Sequence, residues 1–365
     1  MGGIEKTINL MARGTSDEFD VRVLVNSGTR TSSVEIIDGV VVTRVGEWGR
    51  AASAPVSPAF VGALSAAAAD CDLLHFHHPN PTGDVARLLG RVRTPAVMTY
   101  HSDVVRQKWA MWAYGPVLER TLSACRLLMP TSAEYMQGSP WLSRHRAKCR
   151  VVPLGLDTTN VADWLAGDRA PKFVAAVRAK YPPPNIAFCG KLRAYKGLGY
   201  LLEAMVKVVN ADLLLVGDGP MRKSLEARAL ALGVAARVHF LGERSEEDKF
   251  AVLAASEVFC FPSHRRSEAF GLSQIEAMAC GVPVVGCELG TGTTFVNRDG
   301  ETGLVVPPAD PDALAAALNS LLHGDPARRR MLGQAAAQRA RKLFSAERMC
   351  ADLKAVYREA LAMSA

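Results

Sequence analysis

The sequence lacks several features that would mark other classes of protein. No apolar stretch reaches the roughly 18 residues that a membrane-spanning helix needs, and Glu5, Lys6 and Asn9 interrupt any apolar core of a signal peptide. No C-x-x-C pair occurs among the eight cysteines, which lie far apart in the chain. Buried thiols in a reducing cytosol are therefore expected, and not disulfides or a zinc site. Short repeats and low-complexity tracts are also missing, which favours an ordinary globular protein in the cytoplasm.

Charge of either sign is moderate. Lys and Arg together number 43 and Asp and Glu 36, which gives a net charge of +7. Such a balance favours anionic partners, either nucleotide phosphates or a membrane surface. No nucleic-acid-binding motif accompanies it, so a nucleic acid is not expected as a partner. The length of 365 residues suits two domains of ordinary size.

Short apolar runs alternate with Ala- and Leu-rich segments in both halves of the chain, a pattern typical of parallel sheets with helical crossovers. Strands are predicted at 21–25, 40–44, 73–75, 96–100, 127–130, 150–153, 186–189, 212–216, 238–241, 258–261, 282–286 and 304–306. Helices are predicted at 57–69, 83–89, 198–208, 221–232, 249–255, 272–279, 311–323, 326–342 and 346–363. The pattern resets after Asp157, where an irregular polar stretch is expected before the prolines at 182–184.

Two doubly wound α/β domains follow from this pattern. We expect a first Rossmann-like domain at 1–155, a second at 156–342, and a C-terminal helix within 343–365. Packing of this helix back on the first domain is one option. Ligands of open parallel sheets bind beyond the carboxyl ends of the strands. Two such domains facing each other would form a cleft.

Glu268 and Glu276 flank the start of a predicted helix, because Gly271 is followed by a helical pattern. A helix N-terminus has free N–H groups and a positive dipole end, which suit a phosphate group. A nucleotide sugar matches this arrangement: its diphosphate meets the helix end, and its ribose and its sugar each meet one carboxylate.

A second phosphate-binding segment is predicted between Gly190 and Gly197, which follows a strand and opens a helix. Its two lysines, Lys191 and Lys196, can both reach a diphosphate. The turn at 215–220 also ends a strand, and its glycines indicate mainly a fold-forming turn at the border of a base pocket.

His101 ends a predicted strand of the first domain, where a neutral imidazole can bond to a sugar hydroxyl. His75, His77 and His78 cluster at the end of another strand and superficially suggest a metal site. They lack a carboxylate or cysteine partner at ligand spacing, so no metal is expected.

Two basic segments could face anionic lipid headgroups or a lipid-linked diphosphate acceptor. A solvated face with buried tryptophans is an equally strong interpretation. The first contains Arg106, Lys108, Trp109 and Trp112, and the second Arg144, Arg146, Lys148 and Arg150.

Together these segments resemble the retaining glycosyltransferases of family 4, which have the GT-B fold. Residues 261–271 and 276–285 match the E-x7-E signature of that family and its flanks, and the segments at 152–157, 190–197, 216–220 and 238–242 match in order. The resemblance covers nearly the whole chain. Within the family, residues 101–108 and 289–294 are similar to bacterial rhamnosyl- and mannosyltransferases of surface-polysaccharide assembly.

The resemblance implies roles for single residues. Lys191 and Lys196 would hold the donor diphosphate with help from the amides near Gly271 and Leu272. Glu276 would bind the ribose hydroxyls. Glu268 would lie by the donor sugar, and His101 would contact that sugar from the opposite domain. The family generally needs no metal and often has Arg where Lys191 stands, so weaker phosphate geometry is expected there.

The start of the chain departs from the family pattern, which has an apolar strand before a Gly-Gly loop and a helix. Here Gly2 and Gly3 follow Met1 at once, so the first strand is expected to be missing, through a misassigned gene start or a truncation. Loss of a central strand leaves unpaired backbone groups. Gly3 would otherwise approach the donor phosphate.

The resulting hypothesis is a retaining hexosyltransferase that moves a mannose- or rhamnose-type sugar from a GDP- or UDP-type donor to a glycan or a polyprenyl-diphosphate-linked acceptor. It would act without a cofactor in the cytoplasm, with contact to the inner membrane face as one option. Two alternatives stay open: a nucleotide-sugar 2-epimerase of the same architecture, and a non-catalytic truncated homologue.

Overall fold

The chain forms two compact units in a computed structural model that describes residues 3–51, 54–104 and 108–363. The first unit consists of Met1–Leu154 together with Ala346–Ala365, and the second of Gly155–Ser345. The division thus lies beside the linker predicted near residue 155, and the C-terminal helix is part of the first unit. No helix in the described ranges is both long and apolar enough to cross a membrane.

The first unit begins with a helix and continues with alternating strands and helices. In chain order its elements are α1 (Gly3–Thr15), β1 (Arg22–Asn26), β2 (Ser33–Ile37), β3 (Val40–Val45), β4 (Gly49–Ala51), β5 (Ala54–Val56), α2 (Ala59–Ala69), β6 (Leu74–His78), α3 (Pro81–Leu89), β7 (Ala96–Tyr100), α4 (Lys108–Ala124), β8 (Leu127–Pro130) and α5 (Ala133–Gly138). A 3₁₀ helix follows at Leu142–Lys148.

The second unit contains six strands and nine α-helices in its described residues. In chain order they are α6 (Thr158–Ala166), α7 (Ala170–Lys180), β9 (Asn185–Cys189), α8 (Leu198–Met205), β10 (Asp212–Val216), α9 (Arg222–Ala231), β11 (Val238–Gly242), α10 (Glu246–Ala255), β12 (Val258–Phe261), α11 (Leu272–Ala279), β13 (Val284–Cys287), α12 (Gly292–Val296), β14 (Gly303–Val306), α13 (Pro311–Leu322) and α14 (Pro326–Leu343). The last helix of the chain, α15 (Ala346–Ala362), returns to the first unit.

The strands of the first unit are divided between separate sheets. One contains β6, β7 and β8 in parallel, and another contains β1 parallel to β3 and β3 antiparallel to β2. Among the described strands, β1 and β6 are each paired on one side only. Backbone groups on the open side of each strand have no partner within its sheet.

Several sequence predictions for the first unit need correction. The strands β2, β4 and β5 were not predicted, since β2 and β4 are almost wholly exposed and carry no buried alternation. The strand predicted at 150–153 is not formed. Arg150 and Val152 donate N–H bonds to the β8 carbonyls of Leu128 and Pro130, but Pro130 has no N–H to return and the ladder stays incomplete.

Helix α15 is tied to the first unit by specific side chains. Tyr357 bonds to Nδ1 of His75 at 2.7 Å, and Glu359 accepts from Nη2 of Arg150 at 2.5 Å. Gly14 of α1 lies against Cys350, where any Cβ would come within 2.2 Å of the sulfur. These contacts place the C-terminal helix with the strands that precede it by more than 200 residues.

The sheet of the second unit is entirely parallel, in the order β11-β10-β9-β12-β13-β14. The stretch after Asp157 is helical, contrary to the irregular segment predicted there. The Asp157 carboxylate accepts from the Asn160 N–H and caps α6, and Pro171 stands in the first turn of α7. Both helices hold few buried residues, which explains the weak apolar pattern.

We expect the edge strands β1 and β6 to exchange amide protons faster than a doubly paired strand, because amides that face an unpaired edge have no ladder acceptor. In hydrogen–deuterium exchange, peptides covering Arg22–Asn26 and Leu74–His78 should take up deuterium faster than a peptide covering Ala96–Tyr100, which is paired on both sides. The peptide covering Asn185–Cys189 serves as a doubly paired control. Equal protection of all four peptides would contradict the open edges.

Candidate active site

The loops that follow β9 and β12 lie side by side, because these two strands are neighbours in the sheet. From β9 the chain first adds β10 and β11 on one side of β9, and it then adds β12, β13 and β14 on the opposite side. The direction in which strands are added therefore reverses between β9 and β12. Open α/β sheets bind ligands at such a switch point. The loop after β9 carries Lys191 and Lys196, and the loop after β12 carries Glu268. The fold therefore brings together two segments that are far apart in the sequence.

The loop after β9 is locked against the turn after β10. A Cβ on Gly217 would lie 2.2 Å from the carbonyl oxygen of Gly190, and one on Gly219 would lie 2.6 Å from that of Leu192. Only glycine allows so close an approach of two backbones. The interpretation of 215–220 as a fold-forming turn is thus confirmed. Lys191 is exposed beside this contact, and its ammonium has no ion-pair partner in the described part of the chain.

Lys196 and Glu268 form an ion pair across the two loops. Nζ of Lys196 lies 2.5 Å from Oε2 of Glu268, and each side chain is only 12% exposed. Ser263 Oγ donates to the same carboxylate oxygen at 3.1 Å. Burial alone would lower the pKa of Lys196, but the attraction of Glu268 outweighs it and raises the pKa above its ordinary value. The ammonium is therefore permanently charged at neutral pH.

Two glycines permit this approach. Gly197 has a left-handed backbone (φ +71°), and a Cβ there would lie 1.8 Å from the Pro262 carbonyl oxygen. Gly271 caps the start of α11 with φ +86°, and a Cβ there would lie 2.7 Å from the Phe261 ring. The first amides of α11, including that of Leu272, have no acceptor within the helix. Their positive end is directed at the loop that carries Glu268.

Glu276 is paired with a residue that the sequence did not single out. Nζ of Lys249, on α10, lies 2.6 Å from Oε1 of Glu276, with 14% and 19% of the two side chains exposed. Burial would lower the pKa of Lys249, but the nearby Glu276 raises it above its ordinary value. The one feature of the sequence that could have drawn attention to Lys249 is its position directly before the buried run 250–253. Spacing along the chain gives no reason to connect it with Glu276.

In the first unit, His101 is buried at the end of β7. The residue is 6% exposed, and its Nε2 lies 3.0 Å from Nδ1 of His77. The two rings are stacked with centroids 5.3 Å apart. Burial lowers the pKa of His101 to about 4, so the imidazole is neutral near pH 7, as the hydroxyl-binding role requires.

Asp103 anchors the loop that follows His101. Its carboxylate accepts from Tyr100 Oη and from Ser139 Oγ, both at 2.8 Å. Its backbone N–H donates to Tyr135 Oη at 2.5 Å. The segment after His101 is thus held at three points by buried or half-buried groups.

His75, a further histidine of the cluster, is engaged by other side chains. His75 bonds to Tyr357 Oη through Nδ1 and to Thr99 Oγ1 through Nε2, both at 2.7 Å. Within the described residues, no group of three or more His, Cys, Asp or Glu side chains is arranged to hold a metal ion. His78 is fully buried, and its pKa falls to about 3 through desolvation and repulsion from His101.

Beside His78 lies a buried carboxylate. Oδ2 of Asp84 accepts from Tyr114 Oη and lies 4.0 Å from Nδ1 of His78, and Oδ1 has no hydrogen-bond partner within the described residues. Desolvation raises the pKa of Asp84 to about 6, although the Tyr114 hydroxyl and the charge of Arg87 act against it. An ionised Asp84 is therefore costly to the fold.

Most cations of the second basic segment, at 144–150, bind partners within the first unit. Arg150 pairs with Glu359, and Lys148 donates to the carbonyl oxygens of Ser123 and Cys125 at the end of α4. Arg144 lies 3.5 Å from Glu119. In the first basic segment, Trp112 is 88% exposed.

Other predicted residues lie at or beyond the limits of the described structure. Gly3 is the first residue of α1. Gly2 and Arg106 are outside the described residues, as are the side chains of Lys108 and Trp109.

Comparison with known proteins gives consistent matches over both halves of the chain. Residues 172–339 match the family model for glycosyl transferases group 1, and residues 2–155 match the glycosyl transferase 4-like domain. The chain is 37% identical to D-rhamnosyltransferase WbpZ of Pseudomonas aeruginosa over 95% of this chain and 89% of that protein. It is 34% identical to O-antigen chain mannosyltransferase C of Escherichia coli over 77% and 73% of the two chains.

Solved structures agree on the fold. Sucrose-phosphate synthase from Thermosynechococcus elongatus superimposes with a TM-score of 0.81 at 24% identity, over 100% of this chain and 94% of that one. This likeness shows the GT-B fold with two Rossmann-like domains, as the sequence predicted.

Replacing Asp84 by Asn should stabilise the protein at alkaline pH. Because the folded-state pKa of about 6 lies above the ordinary value of 3.8, the wild type is most stable with respect to this group below pH 4 and loses that stability as pH rises through 6. At about 1.4 kcal/mol per pKa unit, D84N should raise the unfolding free energy by up to roughly 3 kcal/mol at pH 8 and by much less at pH 4. Chemical denaturation at both pH values measures this.

The side-chain amide oxygen introduced in D84N can still accept from Tyr114, so the substitution removes the charge and keeps the hydrogen bond. Asp20→Asn, at a side chain that is 88% exposed, is the matched control and should show no such pH dependence. A D84N stability gain that is the same at pH 4 and pH 8 would disprove the raised pKa.

Proposed function

The chain belongs to the group 1 glycosyltransferases, and on that premise we propose that it transfers a mannose- or rhamnose-type hexose from a GDP- or UDP-linked donor with retention of configuration. Its relatives include a D-rhamnosyltransferase and an O-antigen chain mannosyltransferase. A growing surface polysaccharide on a lipid-linked diphosphate carrier is the acceptor that this kinship favours.

The observation that carries the proposal is the pairing of each signature carboxylate with a lysine: Glu268 with Lys196 at the switch point of the second sheet, and Glu276 on α11 with Lys249. Lys196, held at 2.5 Å from Glu268, is the permanent cation for the donor diphosphate. Lys191 adds a second cation, and the amides at Gly271 and Leu272 add the positive end of α11. Glu276 accepts the ribose hydroxyls.

In the proposed reaction, the bond between the anomeric carbon and the diphosphate oxygen breaks while the acceptor hydroxyl bonds to the same face of the sugar and passes its proton to the leaving diphosphate. Charge develops on the leaving diphosphate, and fixed positive groups stabilise it without reorganising. Lys196 and the α11 amides supply these charges, so we propose that the reaction needs no metal cofactor. Glu268 contacts the donor sugar, and the neutral imidazole of His101 in the first unit is suited to bond to a sugar hydroxyl.

We further propose a cytoplasmic location with contact at the inner face of the membrane. Trp112, 88% exposed on α4, is the side chain that supports this contact, because exposed tryptophans favour the headgroup region. The 144–150 segment contributes less, since most of its cations already have partners in the fold.

Removing either charge from the donor site should abolish most of the transfer. Lys196→Met and Glu276→Gln should each lower kcat/KM by about 100-fold, the loss typical of a preorganised charge or donor. The measurement is sugar transfer from the radiolabelled donor to a lipid-linked acceptor. Lys207→Met is the matched control, since Lys207 forms an ion pair of 2.6 Å with Asp312 on the exposed surface of the same unit.

Near-normal transfer by both K196M and E276Q would overturn the site assignment. Incubation of the wild type with donor alone separates the two enzyme classes: an epimerised nucleotide sugar would identify a 2-epimerase, whereas an unchanged donor fits a transferase.

Binding of the free nucleotide should raise the melting temperature. A ligand that binds only the folded state stabilises it by about 2.7 kcal/mol at 100 times its Kd. We expect either GDP or UDP to shift the midpoint of the wild type, and the shift to shrink in K196M because the diphosphate loses its nearest cation. A differential scanning fluorimetry series with both nucleotides tests this. No shift with either nucleotide would contradict a donor site of this type.

A further inference from the structure

The Lys249–Glu276 pair has a property that the donor-binding assignment does not explain. Glu276 lies on the second turn of α11, and among the described residues its carboxylate has one hydrogen-bonding partner, Nζ of Lys249, which lies 2.6 Å from Oε1. The partner comes from α10, which is not one of the loops at the strand ends. A residue of a separate helix, α10, thus influences the orientation of the Glu276 carboxylate.

The surroundings of the pair leave the carboxylate dependent on Lys249. The thiols of Cys189 and Cys280 lie close enough to feel the charge of Glu276, and burial raises the pKa of Cys280 to about 12. Neutral thiols are weak hydrogen-bond donors and supply no compensating charge. With 19% of its side chain exposed, Glu276 has little access to water. Lys249 is the cation that compensates it.

The lysine itself is also held in place. Its ammonium lies 5.0 Å from the centroid of the Phe250 ring, and 14% of the side chain is exposed. Helix α10 is fixed at its start by Ser245, which accepts from the Asp248 N–H. An ammonium held against one carboxylate oxygen restricts the orientations that are open to that carboxylate.

We propose that Lys249 is a positioning residue that orients Glu276 for the vicinal 2′- and 3′-hydroxyls of ribose, and thereby sets the preference for ribonucleotide over 2′-deoxyribonucleotide donors. The inference rests on the proposed role of Glu276. Two adjacent hydroxyls can both donate to one carboxylate only when its plane is turned toward them. Lys249 takes one lone pair of Oε1 and leaves the rest of that oxygen and all of Oε2 as acceptors.

Without the ammonium, the carboxylate of Glu276 would rotate freely, and its charge would be costly in this half-buried position. Both effects weaken the hydrogen bonds to the two hydroxyls more than the contacts to the base or the phosphates. The contribution of the 2′-hydroxyl should therefore fall selectively. A purely structural ion pair between α10 and α11 would lower stability or overall affinity and leave this selectivity unchanged.

The test compares nucleotide affinities of the full chain by isothermal titration calorimetry. The probes are GDP and UDP, each with its 2′-deoxy form. The ribonucleotide that binds the wild type more tightly is compared with its own 2′-deoxy form, and the ratio of the two Kd values is the ribose preference. A hydrogen bond to a charged group gives roughly tenfold or greater preference, which is the value expected for the wild type. In Lys249→Met the preference should fall to within about threefold.

Matched variants separate the interpretations. Lys249→Arg keeps the charge and should keep most of the preference, whereas Lys207→Met removes an equally short but exposed ion pair and should leave the preference unchanged. If circular dichroism shows that K249M does not fold, Lys249→Gln takes its place, because it keeps hydrogen-bond donors without the charge.

A double variant tests whether Lys249 acts through Glu276. If it does, K249M combined with Glu276→Gln should show the same ribose preference as E276Q alone. Additive losses, or a K249M preference equal to that of the wild type, would overturn the inference. A wild type that binds the nucleotide with no ribose preference would instead refute the proposed role of Glu276, and this inference would fall with it.

Discussion

Two carboxylates with less than a fifth of the side chain exposed, Glu268 and Glu276, each have a lysine ammonium within 2.6 Å. Removing one partner from such a pair leaves an uncompensated charge, typically at a cost of about 3–5 kcal/mol. The lysines come from different elements: Lys196 from the loop after β9 and Lys249 from α10. The two ion pairs therefore form only when β9, β12, α10 and α11 are all in place.

Backbone contacts that only glycine allows hold these elements at the required distance. Gly197 lies against the Pro262 carbonyl, Gly271 against the Phe261 ring, and Gly217 against Gly190. Because these are contacts between backbones and a buried ring, the loops have little freedom to move apart. A charge that is fixed in advance stabilises a leaving diphosphate without the cost of reorganisation. In the proposed reaction, the glycines would contribute by keeping the charged loops rigid.

Strands with continuous apolar runs could be predicted closely from the sequence. The predictions at 96–100, 127–130, 212–216 and 258–261 match β7, β8, β10 and β12 in both bounds, because strands buried on both faces show an unbroken apolar signal. The exposed β2 gives no such signal. The strand predicted at 150–153 failed for a reason outside its own residues: the neighbouring Pro130 cannot donate to it.

The sequence by itself determined the fold class and the family, because short segments in a diagnostic order carry both. It also singled out Lys196, Glu268, Gly271 and Glu276 as the residues of the proposed donor site. Tertiary structure alone decided which charges meet. Lys249 and Glu276 are 27 residues apart on separate helices, and Nε2 of His101 meets His77 from a neighbouring strand. Such contacts depend on how helices and strands pack. The periodicity of a sequence indicates which face of an element is buried, but it does not indicate which residue of another element that face contacts.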